Sequence, residues 1–223
     1  IVMAGGRVGR DGIHGATFSS EALNSGSPAT AVQIGDPITQ KKMSDAIVKE
    51  AREKDLYHSI TDNGAGGLSC SVAEMAKEAG GFEVELEKVP LKYPGLAPWQ
   101  IWVSESQERM TLAVPPEKCD EFIALMESRG VEATIIGRFT GSPRGIVTYR
   151  ANKVFDLDMD FLHNGLPRKN LKTTPPLKTA IIPDFPMPAD MTGALHAMLS
   201  RLNIASFEFI STQYDHEVQA NSA

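Results

Sequence analysis

The stretch that decides the fold around it is Ile60-Thr61-Asp62-Asn63-Gly64-Ala65-Gly66-Gly67-Leu68-Ser69-Cys70-Ser71. A short β-prone run ends at Asp62, three glycines follow, and the Ser-x-x-Glu pair Ser71 and Glu74 predicts the start of a helix. We expect this helix to continue to about Ala79 and to stop at Gly80-Gly81. Glycines lack a Cβ atom, so they permit positive φ angles and let backbone N–H groups approach a ligand closely.

Asp62 stands where the strand ends, so its carboxylate can point out of the sheet edge. A carboxylate beside backbone amides at a helix N-terminus suits a metal–phosphate pair, because the acid binds the cation while the amides face the anion. The alternative is a tight strand–helix turn with a solvated aspartate, and the stretch taken alone favours this second interpretation.

The composition is that of an ordinary globular protein. With 223 residues the chain can bury a sizeable core, and its formal charge of −6 argues against a broad nucleic-acid surface. No apolar run approaches the roughly 20 residues that span a bilayer, so we expect no membrane partner and a cytoplasmic location. Cys70 and Cys119 lack metal-ligand spacing, and a quiet helical cysteine is the favoured interpretation of Cys70, although a helix start can lower a thiol pKa.

The rest of the first 150 residues alternates strand and helix patterns. A strand at residues 31–35 precedes a helix that Asp36 and Pro37 open and that runs to about Lys54. Further on, the patterns predict a strand at 82–87, a short helix from Pro98 with two packing tryptophans, a strand at 110–114 and a helix from Pro116 to Gly130. Residues 131–139 and 145–149 predict a β-hairpin around Thr140–Pro143. Strand, helix, strand, strand resembles half of a ferredoxin-like unit, so we expect an α+β domain with a mixed sheet.

Three polar segments are candidates for ligand binding. The glycine-rich loop Gly5–Phe18 carries two arginines, an aspartate and a histidine but no Walker A pattern, and it is either an anion-binding loop or a solvated surface loop. Gln33 lies in an apolar strand, as an edge residue or as an amide that reaches a ligand. The run Ser104-Glu105-Ser106-Gln107-Glu108-Arg109-Met110 at a helix-to-strand corner suits a polyhydroxylated or phosphorylated ligand, with an ordinary polar loop as the alternative.

The pattern changes after Arg150. Asp156, Asp158 and Asp160 alternate with apolar residues, but the glycine and distant glutamate of a calcium-binding EF-hand are missing, so we expect an amphipathic strand or turn. Leu166–Pro188 is proline-rich and predicts an extended linker before a helix from Ala189 to about Leu202. Because the chain opens without a methionine directly before a glycine-rich loop and ends abruptly, we expect it to be an internal portion of a longer polypeptide.

Five motifs together resemble one family, phosphoribosylformylglycinamidine synthase, an enzyme of purine biosynthesis. They occur in the family's order and are Gly6–Phe18, Gln33-Ile34-Gly35-Asp36-Pro37, Asp62-Asn63-Gly64-Ala65-Gly66-Gly67-Leu68, Ser104–Met110 and Tyr214-Asp215-His216-Glu217-Val218-Gln219. Only the Ser-Glu-Ser-Gln-Glu-Arg-Met run is specific by itself. The resemblance covers essentially the whole chain but only a middle portion of the family's polypeptide.

The resemblance implies a domain plan. The family carries two repeats, each with an N-terminal domain and a C-terminal domain similar to that of aminoimidazole ribonucleotide synthetase. Residues 1–152 correspond to the first C-terminal domain, an α/β/α layered fold with partial ferredoxin-like topology. Residues 153–188 correspond to the proline-rich linker, and residues 189–223 to the beginning of the second N-terminal domain.

The resemblance also implies chemistry. ATP activates the amide oxygen of formylglycinamide ribonucleotide, and ammonia from a glutaminase subunit or domain displaces the resulting phosphate to give an amidine. A small accessory subunit is a further candidate partner, and the parent is either a short multi-subunit form or a longer fused form. Gln33, Glu105, Ser106 and Gln107 match substrate-binding positions, and Asp62 matches a Mg²⁺-binding aspartate. The catalytic groups belong to the family's preceding domain, so this chain alone is expected to be inactive.

Two alternatives from other classes remain. A related ATP-dependent kinase or synthetase of the same superfamily is one, although the Glu105-Ser106-Gln107 triplet argues against it. A non-catalytic domain that only holds the repeats together is the other.

Overall fold

The computed structural model describes residues 1–14, 36–174 and 189–206, together with residues 22, 25, 26, 186 and 208. The chain divides into two compact units, Ile1–Lys169 and Asn170–Ala223. In the second unit the predicted helix is present as α6, which spans Thr192–Leu199. Across the described residues, no helix combines the length and apolarity needed to cross a membrane.

The first sheet of the larger unit is fully antiparallel. Its strands lie in the order β2-β4-β1-β5, where β1 is Val2–Gly5, β2 is Ser59–Asp62, β4 is Arg109–Ala113 and β5 is Ala133–Ile135. The strand predicted before the glycines is therefore confirmed, and among the described strands β2 lies at one end of the sheet. Asp62 pairs in register with Met110, which brings the end of β2 beside the start of β4.

The second sheet is mixed, as expected. Its order is β6-β3-β7-β8, with β3 at Gly81–Glu85, β6 at Gly137–Thr140, β7 at Arg144–Tyr149 and β8 at Asn152–Asp158. The predicted hairpin of residues 131–139 and 145–149 is wrong. Strand β3 lies between β6 and β7, antiparallel to the first and parallel to the second. Gly137 permits this close pairing, because a Cβ atom there would overlap the backbone of Glu83.

In the described part of the larger unit, five α-helices accompany these sheets: α1 is Pro37–Ala46, α2 is Leu68–Ala79, α3 is Pro98–Val103, α4 is Cys119–Ser128 and α5 is Met159–Asn164. Helix α1 continues as a π-helical turn, Ile47–Ala51, and Asp36 caps it by accepting a bond from the Thr39 N–H. Two separate clusters of buried apolar side chains form the core. Trp102 is buried and its ring lies 5.9 Å from that of Phe82, which confirms the packing role expected for it, whereas Trp99 is 59% exposed and the same expectation is wrong for it.

The start of α2 differs from the prediction. The helix begins at Leu68, with Gly67 at the N-cap, and it ends at Gly80 as expected. Ser71 is no capping residue, because it is buried within the helix and its hydroxyl donates to Asn63 Oδ1 at 2.7 Å. Long-range packing therefore overrides the local Ser-x-x-Glu pattern.

The linker expected from residue 153 is structured in its first part. Residues 152–158 form β8, whose Phe155 packs on the core, and the first residue of α5, Met159, is buried. Asp158 caps α5 by accepting bonds from the backbone N–H groups of residues 160 and 161. Asp156 lies in the strand, Asp158 ends it and caps α5, and Asp160 lies in the first turn of α5. The strand expected there is confirmed, but burial does not alternate along it.

Candidate functional site

The polar run before β4 is folded into the protein rather than spread over its surface. Ser104, Glu105, Ser106 and Arg109 are each no more than 3% exposed. Buried polar groups require hydrogen-bond partners, since an unpaired one costs about 1–3 kcal/mol. The bonds of this run therefore reveal which parts of the chain it joins.

Arg109 fixes the backbone of the run. Its Nε donates to the carbonyl oxygen of Ser106 and its Nη2 to that of Ser104, both at 2.6 Å. A guanidinium offers a rigid fork of donors, so one side chain can hold both ends of this three-residue turn. Glu108, directly before it, has a φ of 58°, which is uncommon for a residue with a side chain.

The glycine-rich loop near the N-terminus docks on the same run. Ser106 Oγ accepts the Gly9 N–H at 3.2 Å, Ser104 Oγ donates to Gly9 O at 2.9 Å, and the Glu105 N–H donates to Gly12 O at 2.7 Å. In the described part of this loop, through His14, the side chains of Arg7 and Arg10 are exposed, as the surface-loop interpretation expects, whereas the backbone at Gly9 and Gly12 is buried and bonded to the polar run rather than open to an anion. Those glycines instead support the run.

The glycine turn after β2 contacts the run from the other side. The Gly66 N–H donates to Glu105 Oε1 at 3.0 Å, and Gly67 packs directly on the backbone of Ser104. The amide that we expected to face a bound anion therefore faces the carboxylate of Glu105. The two segments that the sequence analysis singled out separately form one structural unit.

A cavity of about 200 Å³ opens where this unit meets α1. It is lined by Gln40, Met43, Asp62, Asn63, Gln107, Glu108, Arg109 and Met110. Of the five predicted site residues, Asp62 and Gln107 lie on its wall, whereas Glu105 and Ser106 are absent from the lining and engage Gly66 and Gly9. Gln107 is held in place by a bond from its Nε2 to the carbonyl oxygen of Glu105, at 2.6 Å. Gln33 lies outside the described residues.

Asp62 suits a divalent cation only as one ligand of several. Asp62 is exposed, and a carboxylate oxygen is the kind of ligand that Mg²⁺ prefers. Within the described ranges, no group of three or more His, Cys, Asp or Glu side chains is arranged to hold a metal. A magnesium ion bound here would therefore take its remaining ligands from water, from substrate or from other parts of the protein.

Cys70, near the start of α2, is not activated. Burial and a hydrogen bond to Glu74 both raise the pKa of its thiol, and the nearby Asp62 carboxylate adds to the effect. The thiolate is the reactive form of cysteine. The structure thus favours the quiet cysteine over the activated one.

Asn63, directly after Asp62, is one of the lining residues that were not predicted as site residues. It is 2% exposed, and its Oδ1 accepts bonds from Ser71 Oγ at 2.7 Å and Thr111 Oγ1 at 3.0 Å. Its Nδ2 has no hydrogen-bond partner among the residues that the structure describes. Nothing in the sequence indicates this arrangement, because Ser71 and Thr111 reach Asn63 from α2 and β4.

Comparison with known proteins adds to this geometry. Residues 1–150 match the family described as AIR synthase related protein, C-terminal domain. The phosphoribosylformylglycinamidine synthase subunit PurL of Methanopyrus kandleri is 40% identical over 228 residues, which cover 100% of this chain and 31% of that protein. The chain therefore spans about a third of the length of the curated relatives it matches.

Solved structures of PurL from Thermotoga maritima are also similar. The complex with FGAR has a TM-score of 0.69 and 32% identity, over 83% of this chain and 30% of that one. The complex with ATP has a TM-score of 0.65 and 29% identity, over 84% of this chain and 28% of that one. The PurLQS structure has a TM-score of 0.67 and 27% identity, over 97% of this chain and 32% of that one.

Proposed function

Since the chain belongs to the AIR synthase related protein family through that family's C-terminal domain, we propose that it forms part of a phosphoribosylformylglycinamidine synthase. In this reaction the amide oxygen of formylglycinamide ribonucleotide attacks the γ-phosphorus of ATP and ADP leaves. Ammonia then adds to the activated carbon, and the oxygen departs with the phosphate to give the amidine. The proposed activity is that of an ATP-dependent C–N ligase in purine biosynthesis.

The observation that carries the proposal is the position of Asp62 and Gln107 on one cavity. They are distant in sequence and belong to two separate motifs. A carboxylate for a cation and an amide for a polar substrate then line the same cavity, which suits a reaction between a metal-bound nucleotide and an amide. The resemblance of the whole chain to PurL, a protein solved with FGAR and with ATP, supports the same assignment.

In the proposed site, Gln107 and Gln33 contact the substrate, and Asp62 supplies one carboxylate to Mg²⁺. Glu105 and Ser106 belong to the same substrate-binding segment. Because their side chains already accept bonds from Gly66 and Gly9, a ligand that reaches them shares these groups rather than meeting free ones. A carboxylate has enough lone pairs to accept more than one donor.

The groups that perform the chemistry are proposed to lie in a preceding domain of a longer protein. Residues 1–152 then form the first C-terminal domain, residues 153–188 connect it to the next domain, and residues 189–223 form the start of that domain. The connecting segment includes most of β8 and all of α5. A glutaminase subunit or domain supplies ammonia, and a small accessory subunit is a further proposed partner. The similarity to a structure of PurLQS supports an assembly of this kind. We propose a cytoplasmic location for the assembled enzyme.

The test is an assay of the full-length protein that contains this chain, with formylglycinamide ribonucleotide, ATP, Mg²⁺ and ammonium. We expect formation of the amidine, and Asp62→Asn is expected to raise the magnesium concentration for half-maximal rate by about tenfold, the equivalent of one lost charge-assisted contact. Asp120→Asn, at an exposed position on α4, serves as the matched control and should leave the magnesium dependence unchanged.

Two results would count against this assignment in different ways. Absence of amidine formation by the full-length wild-type protein would reject the proposed reaction. Normal magnesium dependence in Asp62→Asn, together with a normal substrate KM in Gln107→Ala, would instead favour the non-catalytic assembly domain.

A further inference from the structure

One glycine of the turn after β2 has the Asp62 side chain as its neighbour. A Cβ atom built on Gly64 would lie 2.8 Å from Asp62 Oδ2. Apart from its chain neighbours and this carboxyl group, no atom of the described residues comes within 4 Å of that position. Real Cβ atoms essentially never show contacts under 3.0 Å. A side chain at position 64 and the Asp62 carboxylate in its present place therefore exclude each other.

Gly64 differs in this respect from the two glycines that follow in the turn. Gly66 and Gly67 have φ angles of 77° and 56°, a backbone conformation that favours glycine over residues with a Cβ atom. The φ angle of Gly64 is not positive, so it is one that alanine also adopts. The obstacle to a side chain at position 64 is therefore the carboxylate of Asp62 and not the backbone conformation.

Hydrogen bonds hold the backbone on both sides of this contact. Asp62 is paired with β4 in the sheet, and the Asn63 N–H donates to Arg109 O at 3.2 Å. Gly64 O accepts the Gly67 N–H at 2.9 Å, which closes the turn. The Asp62 residue, in contrast, is exposed. The group that yields to a side chain at position 64 is therefore the carboxylate, because the chain that carries it is tied down.

The contact distance gives the size of the displacement. Ordinary contacts of a Cβ atom begin at 3.4 Å, so Asp62 Oδ2 would have to move from 2.8 Å to that distance, by about 0.6 Å. Oxygen ligands lie about 2.0–2.1 Å from Mg²⁺ in a nearly ideal octahedron, with a tolerance of about 0.2 Å. A carboxylate displaced by about 0.6 Å is therefore badly placed for an ion whose other ligands come from elsewhere.

We propose that Gly64 is a positioning residue for Asp62, because its missing side chain leaves the space in which the carboxylate lies when it binds a divalent cation. This inference rests on the proposed function for the cation. It goes beyond that function by giving Gly64 a role of its own. Gly66 and Gly67 shape the turn and contact the polar run, whereas Gly64 sets the place of a metal ligand.

The first test is structural and needs neither substrate nor metal. Crystal structures of the 223-residue chain and of its Gly64→Ala variant are compared in one crystal form. We expect the Asp62 carboxylate to move by about 0.6 Å or more while the backbone of residues 59–67 superposes. Gly141→Ala is the matched control, since nothing lies within 4 Å of a Cβ atom there, and both variants should unfold at similar urea concentrations. An unmoved carboxylate, or a shifted backbone, would overturn the inference.

The second test measures metal binding by the full-length protein without turnover. Mn²⁺ takes the same oxygen ligands as Mg²⁺, and its free concentration is followed by electron paramagnetic resonance in the presence of a non-hydrolysable ATP analogue. We expect Gly64→Ala to raise the Kd for Mn²⁺ by about threefold to tenfold, up to the loss of one charge-assisted contact. In an Asp62→Ala background, Gly64→Ala should add nothing, because the ligand and the overlap are both gone. Gly141→Ala should bind like the wild type.

The outcomes separate this inference from the proposed function. Wild-type Mn²⁺ binding by Gly64→Ala, or an effect of Gly64→Ala that persists in full in the Asp62→Ala background, would overturn the inference, because Gly64 would then not act through the carboxylate. Wild-type Mn²⁺ binding by Asp62→Ala would overturn it as well. A full-length protein that forms no amidine would reject the proposed function, yet the crystal structures and the Mn²⁺ titration would still decide the role of Gly64.

Discussion

Replacement of Gly67 by alanine is the sharpest test of how the glycine turn and the polar run are joined. Gly67 has φ 56° and ψ −134°, a conformation that residues with a Cβ atom rarely adopt. A Cβ atom there would also overlap the carbonyl oxygen of Ser104. Gly67→Ala therefore introduces backbone strain and forces the two segments apart at the same time.

The expected loss of stability is the sum of two terms. A residue forced into a sparsely populated backbone region costs about 1–3 kcal/mol, and overpacking of a close contact costs about 1–3 kcal/mol more. The total of about 2–6 kcal/mol is a large part of the 5–15 kcal/mol that typically stabilises a domain. With a urea m-value of about 2 kcal/mol/M, the unfolding midpoint should fall by about 1–3 M.

Three other glycines separate the two terms. Gly95 has φ 93° but nothing within 4 Å of a Cβ position, so Gly95→Ala carries the strain alone. Gly12 has no positive φ, but its Cβ would overlap the polar run, so Gly12→Ala carries the overlap alone. Gly141→Ala carries neither. Urea unfolding is followed by tryptophan fluorescence, since Trp99 and Trp102 both belong to the larger unit.

The order of stabilities decides the result. We expect Gly141→Ala to be closest to the wild type, Gly95→Ala and Gly12→Ala to be intermediate and Gly67→Ala to be the least stable. A Gly67→Ala variant as stable as Gly95→Ala would show that the contact with Ser104 contributes nothing, and the description of one joined unit would be wrong.

Three further predictions concern other parts of the larger unit. Arg109→Met leaves two buried backbone carbonyls without their donor and should lower the free energy of unfolding by about 2–5 kcal/mol, with partial recovery in Arg109→Lys, measured by urea unfolding. Cys70 should react with iodoacetamide more slowly than a free cysteine at pH 8, because burial and its bond to Glu74 raise the thiol pKa, and Glu74→Gln should speed the reaction, as measured by mass spectrometry. Hydrogen bonding to Lys153 lowers the pKa of Asp156 in the folded protein. The stability that the Asp156 carboxylate contributes is therefore present above its unfolded pKa of about 3.9 and is lost as the pH falls through its folded pKa. Urea midpoints measured across pH should show Asp156→Asn less stable than the wild type at pH 7 and equal to it in acid.

Each of these predictions has an outcome that contradicts it. Full stability of Arg109→Met would mean that the run keeps its turn without the guanidinium. Modification of Cys70 faster than that of free cysteine would show an activated thiol. A constant difference between Asp156→Asn and the wild type down to acid pH would exclude a role for the charge.

Several elements follow from the sequence because their causes are local. Pro37 after Asp36 opens α1, Gly80 ends α2 and the alternation after Phe82 gives a strand with one buried face. Each depends on the backbone angles of a few residues or on a periodic pattern, and the neighbours along the chain supply both. Asp62 and Gln107 are also predictable as site residues from sequence, because each belongs to a motif of the family.

Strand pairing and packing between distant segments do not follow from the sequence in this way, because they depend on which surfaces come into contact. The pattern of residues 131–149 contains two strands in sequence, but only the tertiary structure inserts β3 between them. Ser71 matches a capping pattern, yet packing against β4 draws it into the interior.

The sequence by itself therefore determined the strand–glycine–helix stretch, the α+β class and the family resemblance, since these depend on residue types and spacing. The tertiary structure alone decided that the polar run is buried, that Glu105 accepts the amide N–H of Gly66, and that Asn63 is buried with its Oδ1 bonded to Ser71 and Thr111. The physical reason is that burial and hydrogen-bond pairing are properties of contacts between segments. No single segment carries them in its own sequence.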